Sequence, residues 1–170
     1  MPKGLKANSG QIVISGKLTE SAANTYTQEQ VDLQLNVLDR EVFVVTAADL
    51  NTTAPEIQDD GTDVEVKACL STVSRDTMGD ISNSNVIAAI RLEAQGHAGG
   101  NYVAFQSQSL ETPPAQMEYV GIIATNNFFA AIKGTDNNNP MVLDYRLYGY
   151  RAIASADTYA ALTQSELLSQ

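Results

Sequence analysis

The sequence predicts an all-β protein: an antiparallel two-sheet sandwich of jelly-roll or Greek-key type with about eight strands, one short connecting helix and a short C-terminal helix. Three observations predict it. Apolar and polar residues alternate with period two in short runs. Gly, Pro, Asn and Asp separate the runs, at positions where tight turns need them. The 170 residues hold no internal repeat, heptad or linker-like tract, so they suit one domain able to bury roughly two thirds of its unfolded surface. A closed barrel is the alternative arrangement of the same strands.

Residues 1–10 read as a flexible N-terminal arm, 11–153 as the sandwich and 154–170 as a C-terminal helix or tail. The first strand is QIVISGKL, 11–18. In VDLQLNV, 31–37, Val31, Leu33, Leu35 and Val37 point one way and Asp32, Gln34 and Asn36 the other. EVFVVTA, 41–47, is rich in β-branched residues and follows a three-residue connection, so the two runs read as a hairpin. After a polar loop with Pro55 and Gly61 comes VEVKACLST, 64–72. SNVIAAIRLEAQ, 84–95, departs from alternation: Ile87, Ile90 and Ala94 fall at helical spacing behind Ser84 or Asn85 as a cap, which predicts the connecting helix. Strands resume at 101–110, 117–125, 127–134 and 140–153. The tail SADTYAALTQSELLSQ reads as the second helix, capped by Ser155 or Asp157, with Tyr159, Leu162 and Leu167 on one side and a capping box at Thr163 and Glu166.

Composition narrows the function. Ten Lys and Arg face twenty Asp and Glu, a net charge of −10. That balance argues against a dedicated nucleic-acid surface, which needs clustered cations to release counterions from phosphates. The excess falls within residues 18–65, where eleven acids meet one base, Arg40. It reads as a solvated acidic face, or as a surface that meets a basic patch or cations at a subunit seam. Lys3 and Lys6 give the arm a weak positive charge. No apolar run approaches the 18 residues of a membrane helix, and MPKGLKANSGQ lacks the apolar centre of a signal peptide.

Chemistry is scarce. Phosphate-binding loops, dinucleotide fingerprints, zinc-protease helices, paired-cysteine motifs and nucleophile elbows are all absent. His97 is the only imidazole and sits among glycines, a poor setting for a braced catalytic base. Cys69 has no partner for an intramolecular disulfide and reads as a small packed residue. Asp59, Asp60 and Asp63 around Gly61 are the one oxygen-rich cluster, a weak calcium candidate without the EF-hand spacing and better read as turn chemistry. Neither a cofactor nor a catalytic residue is expected. Tyr148 and Tyr150 share one face of the last strand, with Tyr145 on the other. Exposed, such rings could form a sugar-binding platform; otherwise they pack in the sandwich or at a seam.

The run of about eight strands, polar loops such as TDNNN, and the closing LDYRLYGYRAI strand followed by a short helix resemble the single jelly-roll capsid proteins of tailless viruses. The resemblance spans most of the chain and contains no diagnostic motif. It implies a structural protein that assembles with copies of itself, alone or together with other virion proteins, into a virion shell in the host cytoplasm. Lys3, Lys6, Tyr148, Tyr150, Tyr159, Leu162 and Leu167 are then the assembly candidates, because chain ends outside a closed sandwich can reach neighbours. Many such proteins carry an Arg-rich arm, and this one does not, so the arm is not expected to neutralise a genome. The alternative is a carbohydrate- or receptor-binding β-sandwich module at a cell surface or outside the cell.

Overall fold

A computed structural model of the chain describes residues 3–58, 61–97, 101–108 and 117–168. Its strands are β1 (Leu5–Ala7), β2 (Ile12–Thr19), β3 (Thr27–Asp32), β4 (Glu41–Thr52), β5 (Val64–Ser71), β6 (Val86–His97), β7 (Asn101–Gln108), β8 (Gly121–Ile123), β9 (Asn127–Thr135) and β10 (Val142–Ala154). One α-helix follows, α1 (Ala156–Leu168), and a single 3₁₀ turn occupies Val37–Asp39. All strand pairs are antiparallel.

Two sheets form. In the first, β10 lies between β4 and the end-to-end pair β2 and β1, and β8 closes the far side of β4. The second runs β3-β9-β5-β6-β7. With β1 and β7 set aside, the remaining eight strands pair first with last, second with seventh, third with sixth and fourth with fifth: β2·β10, β3·β9, β4·β8 and β5·β6. That is one long antiparallel hairpin rolled on itself, the jelly-roll topology.

The core between the sheets contains Phe43, Val45, Leu50, Leu70, Ile90, Ile123, Phe128, Ile132, Leu143 and Leu147. Each such side chain, fully buried, contributes roughly 1.5–3 kcal/mol. Tyr145 lies in this core, its ring edge-on to Phe128 at 6.2 Å. A second cluster, Leu5, Val42, Val44, Ala124, Ala152 and Ala154, occupies the outer face of the first sheet, where Tyr159 and Leu162 of α1 pack against it. Both faces of β4 are therefore covered from Glu41 to Val45, which explains the unbroken apolar run there. Beyond Val45 the β4·β10 register shifts: Val45 pairs with Gly149 and Ala47 with Tyr148, leaving Thr46 as a bulge. The extra residue reverses the parity of β4, so Phe43 and Val45 face the core before it and Ala48 and Leu50 after it.

The helix expected over 84–95 is a strand. Ala88, Ile90, Leu92 and Ala94 alternate toward the core as β6 pairs with β5. Opposite Leu70 and Ser71 the register skips Ile87, and this bulge places Ile87 three residues from Ile90 on the buried side, imitating helical spacing. The hairpin expected over 31–47 is also absent, since β3 and β4 belong to different sheets. β3 ends at Asp32, whose carboxylate accepts the Gln34 N–H at 2.9 Å while Gln34 takes a left-handed φ of 51°. Leu33 and Leu35 still turn inward and are buried, whereas Val37, expected on the same face, opens the 3₁₀ turn and is exposed, so the alternation reported burial correctly for two of these residues and extended structure wrongly. The strand expected over 117–125 shrinks to β8, and Asn126 carries the chain from one sheet to the other.

Candidate assembly surface

Carboxylates in the acidic segment act largely as internal fasteners. Glu20 is buried and accepts the N–H groups of Gly134 at 2.6 Å and Met141 at 2.8 Å, joining the end of β2 to β9 and to the start of β10. Glu41 is buried beside the 3₁₀ turn, where the Asn36 N–H (2.9 Å), the Asn8 amide (2.8 Å) and Arg151 (3.6 Å) converge on it. Burial alone would raise its pKa; those donors and the Arg151 charge outweigh it and hold the carboxyl below its ordinary value. Glu56 accepts the N–H groups of Asn138 and Asn139 and the Asn139 amide. Asn137 in turn accepts the Glu56 N–H and donates to the Glu65 and Thr135 carbonyls. The loop after β4 and the TDNNN loop are thus stapled together. The acidic segment crosses both sheets and is not one solvated face.

The candidates from the sequence separate into distinct places. Lys3 and Lys6 are exposed, and Lys6 lies on β1, the part of the arm that pairs with the end of β10. Tyr148 and Tyr150 are half-buried. The Tyr148 hydroxyl donates to Asp49 at 2.9 Å, and Tyr150 packs on the outer cluster beneath α1. Tyr159 and Leu162 face that same cluster. Leu167 departs from them: it is 65% exposed, and Glu166 takes the buried place. The spacing of Tyr159, Leu162 and Glu166 keeps one helix face in register, whereas Leu167 lies a further 100° around. Glu166 accepts the N–H groups of Ala124 and Thr125, each at 3.0 Å, so it caps the β8–β9 crossing. Burial pushes its carboxyl up, against the lowering effect of those donors. Thr163 donates to the Tyr159 and Ala160 carbonyls inside the helix, and the capping box expected with Glu166 does not form. The cap is Ser155, whose Oγ accepts the Thr158 N–H at 3.3 Å.

Asp59 and Asp60 lie outside the described residues. Asp63 is exposed and accepts the Gly96 N–H at 2.8 Å. Among the described residues no three His, Cys, Asp or Glu side chains gather as metal ligands. Cys69 is fully buried, deeper than its sequence suggests, with burial pushing the thiol up. Among the described residues no helix is long and apolar enough to cross a membrane.

Sequence reasoning gave no sign of Glu20, Glu41 or Glu166 as internal acceptors, because their partners are backbone N–H groups more than forty residues away or in an irregular turn. Large exposed apolar side chains include Leu38 in the 3₁₀ turn at 94% exposure, Ile57 and Ile81 in the loops around β5, Val13 on β2 at 51%, Val103 and Phe105 on β7 at 44% and 51%, and Leu167 and Leu168 at the end of α1. A cleft of about 540 Å³ opens at the Thr46 bulge between Gly10, Gln11, Glu118, Gly149 and Tyr150.

No family model matches the chain, and no curated protein matches it. Among solved structures it is similar to one from Desmodium yellow mottle tymovirus, at 9% identity and a TM-score of 0.33, over 92% of this chain and 95% of that one.

Proposed function

We propose that the chain is a capsid protein, a structural brick that assembles with copies of itself into a virion shell. One observation carries the reading: the jelly roll uses buried carboxylates as internal fasteners and exposes large apolar side chains at loop tips, on the edge strands β2 and β7 and at the end of α1. Exposed apolar groups at the rim of a rigid block suit contacts between blocks. Lys3, Lys6 and Leu167 are free to reach a neighbour, whereas Tyr159 and Leu162 hold α1 on its own sheet. The chain carries a net charge of −10, so genome contacts fall to another component. Sedimentation velocity and electron microscopy of the purified protein test the proposal. Discrete oligomers or closed particles are expected; a strict monomer across concentration and salt overturns it.

The cleft at Thr46 favours a second reading, a carbohydrate-binding module, because Tyr150 and Glu118 both line it. Tyr150→Ala abolishing binding to a glycan array would support it, and a wild type that binds no glycan would remove it.

A further inference from the structure

Four strand edges bound the two sheets, and three are guarded. β8 is three residues long. The edge made by β1 and β2 exposes Val13, but it is interrupted at residues 8–11 and carries Lys6 and Lys17. β3 carries Glu29 and Asp32. Short length, interruption and charge are the usual means by which proteins keep an edge from pairing with another chain. β7 has none of them. It is eight residues long, NYVAFQSQ, without a charge, a proline or a register break in its pairing with β6. Among the described residues it pairs only with β6. Its pairing to Ala94 through Ala104 turns Ala104 and Gln106 to the inner face and Val103, Phe105 and Ser107 to the outer one. Every β7 side chain is exposed or half-buried.

Resting on the shell-forming reading above, we infer that the occupant of this edge is β7 of a second copy, paired antiparallel about a two-fold axis into one ten-stranded sheet. Three features select a copy of the chain. An antiparallel strand pair is self-complementary, since the two edges exchange N–H and C=O groups equally under a two-fold axis. Val103 and Phe105 of each copy meet those of the other and bury area that is exposed in the single chain. The edge is also neutral in a chain of net charge −10: two copies repel over most of their surfaces, and contact without placing like charges together is open to them at β7. The contact contains no ion pair, so salt strengthens it by screening the overall repulsion, the reverse of a salt-bridged interface.

The test uses the full chain. Wild type and the double variant Val103→Lys/Phe105→Lys are compared by sedimentation velocity across concentration and salt, with circular dichroism verifying that the variant is folded. A dimer that tightens with salt in wild type, and whose dissociation constant rises at least tenfold in the variant, is expected. Independently of any effect on folding, Val103→Cys, Phe105→Cys and Ser107→Cys are oxidised one at a time. One of them is expected to crosslink to a dimer, while wild type, whose Cys69 is buried, does not. If wild type assembles but the lysine variant assembles equally well and no cysteine crosslinks, the β7 pairing is overturned and the shell reading stands. Protection from exchange that does not change with concentration at the β7 amides pointing away from β6 also overturns it. If wild type stays monomeric, both readings fall.

Discussion

Glu166 and Ala124 are joined across the outer face of the first sheet: the Ala124 N–H donates to Glu166 Oε1 at 3.0 Å, with both residues buried. The bond fastens the last turn of α1 to the place where the chain leaves β8 for β9. Tyr159 and Leu162 supply the apolar contact along the helix, and Glu166 supplies its registration.

Glu166→Ala should therefore undock α1 at its far end. It leaves the Ala124 and Thr125 N–H groups without an acceptor, at a cost of about 1–3 kcal/mol. Glu166→Gln keeps one acceptor oxygen and should cost less. Urea denaturation together with limited proteolysis of α1 measures both; equal stability of Glu166→Ala and wild type would contradict the fastening role.

Two buried carboxylates should bend the pH profile of stability in opposite directions. Glu41 is held below its ordinary value of 4.5 in the folded chain, so its contribution is present above that value and is lost as the pH falls through the folded one. Glu166 is held above 4.5, so its contribution is complete below 4.5 and is lost as the pH rises through its folded value. Glu41→Gln should flatten the acid limb of a urea-midpoint profile between about pH 2 and 5, and Glu166→Gln the limb above pH 4.5. Parallel profiles for the two variants would refute the assignment.

At Gly149 a side chain has no room. A Cβ there would lie 2.3 Å from the Val44 carbonyl and 2.5 Å from the Phe43 ring, backbone on one side and packed core on the other. Gly149→Ala should lower stability by about 3 kcal/mol, the upper end of overpacking costs. Thermal melts decide the matter, and a loss under 1 kcal/mol would show that the β4 bulge yields.

Cys69 should be inert in the folded chain. Its sulfur is buried, and burial disfavours the thiolate that would react. Labelling by a thiol reagent should proceed at the rate of global unfolding and accelerate with urea. Rapid stoichiometric labelling in native buffer would show that the fold opens locally around β5.

Alternation made most of this fold legible, because one face of a sandwich strand is buried and the other wet. It failed where that condition fails. At β6 a bulge shifted Ile87 by one place and produced a false helix. At Gln34 a left-handed residue kept Leu33 and Leu35 pointing inward without a strand. The Tyr159 and Leu162 contact was readable from helical spacing, whereas Leu167 was grouped on their side of the helix although the place in register there belongs to a charged residue, Glu166. Such carboxylates cannot be found by hydropathy, since what makes them buried is a pair of distant N–H groups that exist only once the sheets have formed.

The bulge at Thr46 divides the mutational tolerance of β4 into two regimes. From Val42 to Val45 both faces are closed, one by the opposite sheet and one by α1, so neutral drift has no permissive position there. From Ala47 onward every other site is open to polar exchange. A single strand thus carries a stretch in which sequence is frozen and a stretch in which half the letters are free, and the border between them is one threonine.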